Sequence, residues 1–263
     1  MNVILTAEDI AVSFGSNHVL KSVSFELGAG EVLGVIGPNG AGKTVLLNVI
    51  SGIQKADKGK LVFKGQDLLK QSVVQRARNG FGRTFQIPRS FSQMTVFENC
   101  LVGAVFGRDM TERASKQKVR EVLELIGLEQ KKYEFAGKLG LLERKRLEIG
   151  MALTSDPKVL LLDEVAGGLT ESEVTEVLEI VRRIKSSGIG IMWIEHVLQT
   201  MLSGTDRVML LAEGTNVISG LPEEVMASPE VERVYLGSAD NILKRKRKKF
   251  GAGPEKGDCE NRE

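Results

Sequence analysis

Gly37-Pro38-Asn39-Gly40-Ala41-Gly42-Lys43-Thr44 is the stretch on which the reading of this chain turns. It fits G-x-x-x-x-G-K-[ST], the pattern of a loop that cradles phosphate groups. Its glycines let the backbone turn tightly and aim several N–H groups at one point. A helix that follows adds the positive end of its dipole. In such a loop the lysine is a point charge for the outer phosphates and the next hydroxyl a ligand for Mg2+, the parts taken here by Lys43 and Thr44. The flanks agree. Val32 to Ile36 is a short apolar run of the kind a buried strand needs, and Thr44 to Ile50 is apolar enough to open a helix that packs on a sheet. Strand, glycine loop and helix in that order predict a nucleoside triphosphate site in an α/β fold.

A chain of 263 residues can bury a good core as one large domain or two smaller lobes. The balance of apolar and charged residues is that of a soluble globular protein. No apolar run reaches the roughly 18–20 residues that span a membrane. Met1 to Ala7 lacks the basic start and long apolar core of a signal peptide. Cys100 and Cys259 form no disulfide framework and fit a reduced cytosolic setting. The net charge of +2 selects no partner, but Lys244 to Lys249 is an unbroken basic run. Such a run reads as a solvated segment, or as one attracted to anionic lipid.

Along the chain, alternation of Ile10, Val12 and Phe14, then of Val23, Phe25 and Leu27, predicts antiparallel strands over residues 3–27. Phe14 suits a core position better than an aromatic platform for a base. Gly52 ends the first helix, and Leu61 to Phe63 reads as a strand. Residues 81–86 read as a short strand ending in Gln86. From 87 to 137 helical period takes over, with Val119, Val122, Leu123 and Ile126 on one stripe and Gly127 as the C-terminal stop. Residues 87–154 therefore read as a helical subdomain set into the α/β core of 1–86 and 155–237, where exposed Phe and Met would meet a partner.

Val159 to Leu162 followed by Asp163 and Glu164 reads as a buried parallel strand that delivers two acids to its C-terminal edge, where open α/β sheets bind ligands. Asp163 can bind Mg2+ through water, and Glu164 can polarise an attacking water as general base. Residues 171–185 form an amphipathic helix. The strand Ile191 to Ile194 then ends in Glu195-His196, in the same register as Asp163. A strand at Arg207 to Ala212 and a short helix from Pro222 come next. Residues 238–263 read as a basic, disordered tail.

Together these residues resemble an ATP-binding cassette (ABC) ATPase over residues ~5–237. The fold this implies is an α/β P-loop ABC ATPase core with an antiparallel β-subdomain and an inserted α-helical subdomain. The resemblance implies ATP and Mg2+ as the bound species. It places Gly37, Pro38, Asn39, Gly40, Ala41, Gly42, Lys43, Thr44 and Val45 on the nucleotide, with Phe14 stacking on adenine. It implies metal contacts from Thr44, Gln86 and Asp163, and catalytic parts for Lys43, Gln86, Glu164 and the switch histidine His196. Arg83 to Gln86, Met94 to Asn99 and Tyr235 to Gly237 look like one branch, the ATP-binding subunits of branched-chain amino-acid importers, with urea importers close by. That branch implies two integral membrane permease subunits, a second ABC ATPase subunit and an extracytoplasmic solute-binding protein. It also implies no nucleic acid, and a peripheral place on the cytoplasmic face of the membrane.

Two positions depart from the family. Its signature Leu-Ser-Gly-Gly-Gln here reads Leu139-Gly140-Leu141-Leu142-Glu143, without the serine hydroxyl and with a side chain where glycine lets backbone approach. The D-loop Gly167-Gly168-Leu169-Thr170 carries Thr170 where Asp is usual. In the family each signature serves the other subunit's nucleotide, so the resemblance implies an asymmetric heterodimer. A soluble ABC ATPase acting on DNA or ribosomes is the alternative, but such members usually carry tandem cassettes or long coiled-coil insertions. A P-loop GTPase is disfavoured because there is no Asn-Lys-x-Asp motif.

Overall fold

The fold is built on strands of two kinds, and their burial separates them. The computed structural model describes residues 2–108 and 111–235. β1 (Val3–Phe14) and β2 (Asn17–Gly28) form a long antiparallel hairpin, closed by Gly15 at φ +61° between the paired Phe14 and Asn17. β4 (Lys58–Phe63) and the two-residue β5 (Gln66–Asp67) extend the hairpin, again antiparallel. These strands alternate between buried and exposed residues, as sheets with one wet face do.

β3 (Val32–Ile36), β7 (Val159–Asp163) and β8 (Gly190–Ile194) are buried at every position. With β6 (Phe81–Arg83) and β9 (Arg207–Ala212) they make a parallel array in the order β9-β3-β8-β7-β6. β10 (Thr215–Gly220) pairs antiparallel with β9 and touches β2 at Thr215 and Ser22, which joins both parts into one ten-stranded sheet.

The continuous apolar runs have a simple cause. Successive side chains point to opposite faces, and each face has its own core. Leu160, Leu162, Ile191 and Trp193 enter one cluster; Val159, Leu161, Met192 and Ile194 enter the other. α1 (Lys43–Ser51) packs with the second cluster through Leu46, Leu47, Val49 and Ile50. α6 (Glu171–Ser186) packs with the first through Val177, Leu178, Val181 and Ile184.

Between β6 and β7 lie α3 (Val96–Arg108), α4 (Glu112–Leu125) and α5 (Leu141–Leu153). The predicted stripe Val119, Val122, Leu123 and Ile126 is buried, and Gly127 follows α4 at φ +72°. The remaining helices are α2 (Val73–Arg78), α7 (Leu198–Gly204) and α8 (Pro222–Met226). Among the described residues no helix is long and apolar enough to cross a membrane.

Two expectations need correcting. β6 ends at Arg83, not at Gln86: it is an edge strand with β7 on one side only, and after Thr84 N–H donates to Leu161 O at 2.9 Å the chain leaves the ladder. Phe14 is no core residue. It is 50 % exposed, because it stands at the tip of the hairpin, paired with Asn17 beside the turn. Leu236, Gly237, the run Lys244–Lys249, Cys259 and the tail 238–263 lie outside the described residues.

Leu162 is fully buried in the first core. Leu162→Ala is expected to cost about 2–5 kcal/mol, read as a fall in the urea midpoint. Burial pushes the Cys100 thiol up to about 12. Since the thiolate is the nucleophile, about 10⁻⁴ of it is reactive at pH 8. In a Cys259→Ser background iodoacetamide is therefore expected to leave Cys100 unlabelled until denaturant is added; labelling of the native protein contradicts its burial.

Candidate functional site

The C-terminal ends of parallel neighbours fall on one edge of a sheet, and here that edge collects the polar residues of the motifs. β3 runs straight into the glycine loop. At Gly37 (φ +152°) a Cβ would sit 2.0 Å from Leu211 O on β9, so no side chain fits. At Gly42 (φ +103°) a Cβ would lie 2.6 Å from Leu20 Cδ2, so glycine lets the loop close against β2. α1 starts at the next residue. Its Gly42 N-cap offers no side chain to its first N–H groups, and its first turn holds no acid. An unsatisfied, positive helix end is thus left beside the loop, which suits an anion.

Lys43 Nζ donates to Gly37 O at 2.7 Å and Pro38 O at 3.1 Å, so the amine lies along its own loop. Burial pushes its pKa below the usual lysine range, against the attraction of Glu164 and Asp163. The loop forms one wall of a cleft of about 640 Å³, a size that accepts a nucleotide. Asn17, Val19, Asn39, Gly40, Ala41, Gly42, Lys43, Thr44, Val45, Gln86, Glu164 and His196 line it. Phe14 is not among them; its hairpin contributes Asn17 and Val19 instead.

β7 and β8 bring the acids and the histidine. Asp163 pairs in register with Ile194, and Glu164 N–H donates to Ile194 O at 2.9 Å. Glu164 has φ +51°, a left-handed conformation that costs a non-glycine residue on the order of 1–3 kcal/mol. Its surroundings hold it there. Its carbonyl accepts from Lys145 Nζ at 2.8 Å, and the same amine reaches Gln86 O at 3.4 Å. Its carboxylate accepts from Gln86 Nε2 at 2.6 Å on one oxygen and pairs with His196 Nε2 on the other. Gln86, Glu164 and His196 are therefore one cluster at the mouth of the cleft.

Asp163 lies behind them, with Oδ2 3.3 Å from Arg83 Nη2 and its own N–H donating to Thr84 Oγ1 at 3.1 Å. Burial pushes its carboxyl above the usual range and Arg83 opposes this. The donors at hand for a cation are the Thr44 hydroxyl, the Gln86 amide oxygen and Asp163. All are hard oxygens of the kind Mg2+ takes. Among the described residues no group of three or more His, Cys, Asp or Glu could hold a metal alone. A cation here would complete its shell with phosphate oxygens and water.

The signature stretch lies elsewhere, at the start of α5, and does not line this cleft. Gly140 N–H donates to Glu143 Oε2 at 3.0 Å, and Lys131 pairs with Glu143 Oε1 at 2.6 Å. The chain's own carboxylate thus occupies the helix end. Thr170 still caps α6: its N–H donates to Glu173 Oε2 at 2.8 Å, and Glu173 N–H donates back to Thr170 Oγ1 at 3.4 Å.

Three residues of the site escaped sequence reasoning. Arg83 and Lys145 look like solvated basic residues in sequence; Lys145 is buried and the Arg83 side chain is only 9 % exposed. Glu195 stands beside His196 at the end of β8. It too is buried, accepting from Ala166 N–H at 2.6 Å, Trp193 Nε1 at 3.3 Å and His196 N–H at 3.3 Å. An acid next to a strand-end histidine was the one available signal.

Comparison with known proteins agrees with this geometry. The ABC transporter family model matches residues 20–167, more than half of the chain. The lipopolysaccharide export system ATP-binding protein LptB of Haemophilus influenzae is 33 % identical over 234 residues, 89 % of this chain and 97 % of that protein. A probable branched-chain amino acid transport ATP-binding protein, LivG of Archaeoglobus fulgidus, is 32 % identical over 251 residues, 91 % of this chain and 98 % of that one. The ADP conformation of MJ1267, an ATP-binding cassette of an ABC transporter, superposes with a TM-score of 0.84 at 31 % identity, covering 90 % of this chain and all of that structure. With the cassette fold, the phosphate loop and the acids on one sheet edge, the chain belongs to the ABC transporter family and is an ATPase motor subunit of that family.

Proposed function

We propose that this chain drives an importer for branched-chain amino acids from the cytoplasmic face of the membrane. It would work with two integral membrane permease subunits, a second ABC ATPase and an extracytoplasmic solute-binding protein. The reading rests on the stretches Arg83 to Gln86 and Met94 to Asn99, together with likeness to LivG over nine-tenths of the chain. The likeness to LptB supports a second reading, a motor for lipopolysaccharide export. A urea importer is a third member of the set, on the same stretches as the first.

The division of labour follows the family resemblance, and the geometry of the cleft supports it. The loop from Gly37 to Val45 binds the phosphates through Lys43 and the N–H groups of Asn39 to Thr44; Phe14, outside the cleft, would reach the base only from the hairpin tip. Lys43 exchanges the carbonyls of Gly37 and Pro38 for phosphate oxygens. Thr44, Asp163 and Gln86 would hold Mg2+, which would supply charge neutralisation on the phosphate oxygens. Glu164, freed from Gln86 and His196, polarises the attacking water and takes its proton. His196 then turns its Nε2 to the γ-phosphate.

Lys145 fixes the backbone of both Glu164 and Gln86 from α5. The signature at the head of α5 lacks the serine hydroxyl, and Glu143 fills the helix end. This chain therefore takes a partner with an intact signature and hydrolyses ATP at its own loop, while contributing little to the partner's.

Isolation from native membranes in mild detergent tests the assignment. Recovery with two multi-span permeases and a second ATPase is the expected result, and binding of leucine, isoleucine or valine to the associated binding protein identifies the solute. Recovery with a lipopolysaccharide-export assembly favours the second reading; recovery with ribosomes or DNA overturns transport. In the reconstituted complex, Lys145→Met is expected to lower kcat by about 10²-fold through a misplaced Glu164, with KM for ATP little changed and partial rescue in Lys145→Arg. A raised KM at unchanged kcat would contradict the role given to Lys145.

A further inference from the structure

Arg83 is a largely covered cation, its side chain 9 % exposed, that the proposed reaction leaves unused. Its guanidinium is held from one side by α1: Nη1 donates to Asn48 Oδ1 at 2.7 Å and to Ser51 Oγ at 2.8 Å. On the other side Nη2 donates to Asp163 Oδ2 at 3.3 Å. The buried Nε finds no partner among the described residues, so the two Nη groups set the orientation. Thr44, Asn48 and Ser51 stand at i, i+4 and i+7 of α1, on one face of the helix. That face thus carries a candidate Mg2+ ligand at its first turn and the seat of Arg83 one and two turns later. Arg83 is the strut between this face and Asp163, the second candidate ligand. Its guanidinium also lies 5.2 Å from the centre of the Phe85 ring, whose other contact is Arg89 at 4.2 Å, and Phe85 precedes Gln86, the third candidate.

We propose that Arg83 is a positioning residue for the Mg2+ site: it pins Oδ2 of Asp163 at a fixed distance from the Thr44 face of α1 and leaves Oδ1 to the cation. The inference rests on the assignment of Asp163 and Thr44 to Mg2+. A buried carboxylate with no such strut could turn or pair elsewhere, and the two ligands would lose their common gauge. Outer-shell partners of this kind act on metal affinity more than on the binding of the remaining groups.

The test uses the full chain alone. A fluorescent ATP analogue is titrated in EDTA and again over a range of Mg2+, and Mn2+ held by the protein–nucleotide complex is counted by electron paramagnetic resonance. For Arg83→Met the affinity in EDTA should stay close to that of the unaltered chain, while the Mg2+ or Mn2+ needed for half-saturation rises about 10–100-fold. Arg83→Lys should fall between, because an ammonium cannot span both seats. Asn48→Ala removes a seat of Arg83 without touching Asp163, and should move the metal requirement the same way by a smaller factor. It also keeps the test decisive if Arg83→Met does not fold. An unchanged metal requirement in Asn48→Ala and Arg83→Lys, whatever their melting temperatures, overturns the proposal and makes Arg83 a packing residue. Failure of the unaltered chain to bind the analogue would instead overturn the nucleotide site itself.

Discussion

Burial of the parallel strands on both faces is the constraint on which the rest of the structure depends. A strand covered on each side must be apolar along its length, so its polar residues can stand only where it leaves the sheet. β3, β7 and β8 obey this: all five positions of each are buried, and the chain leaves them into the glycine loop, Glu164 and His196. Because β3 and β7 both pair in parallel with β8, the strand pairing itself brings three separate stretches of sequence to one edge. The cost appears at Glu164, held in a left-handed conformation by Ile194, Lys145, Gln86 and His196 together.

The division between what could be read in the sequence and what could not tracks the range of the interactions. The phosphate loop, the acid-tipped strand and the amphipathic helices have local patterns, and each lies where those patterns put it. β10 was missed because its residues Thr215 to Gly220 are part-exposed and carry no apolar alternation; it exists because β9 and β2 flank it. The error at Phe14 has the same origin: alternation reports a strand but not where the cover ends. Arg83 and Lys145 were illegible for a stronger reason. A buried lysine or arginine is fixed by acceptors far along the chain, here 19 to 80 residues away, and nothing in the neighbouring residues distinguishes it from a solvated one.

The charged interior has a common logic. Arg83 faces Asp163, and Lys145 faces the carbonyls of Glu164 and Gln86 with Glu195 and Glu148 nearby. Burial pushes Asp163 and Glu195 toward the neutral form and Lys43 and Lys145 toward the free amine; nearby opposite charges oppose this at Lys43, Lys145 and Asp163, and N–H donors from Ala166, His196 and Trp193 oppose it at Glu195. Lys145 springs from α5, the helix that begins at the altered signature. One helix therefore carries a contact serving this chain's own cleft and, about one turn earlier, the stretch that lacks the serine hydroxyl of the family signature. On the proposed reading the two tasks are separate in α5, and only the second is weakened.

ATP turnover counted per site tests whether the two tasks are separate. The chain is assayed alone and then paired with an ATPase subunit whose signature is intact, each with and without Glu164→Gln in this chain. The predicted result is slow turnover alone and faster turnover in the pair, most of it abolished by Glu164→Gln here. Equal turnover per site alone and in the pair, or a pair indifferent to Glu164→Gln, would contradict that separation.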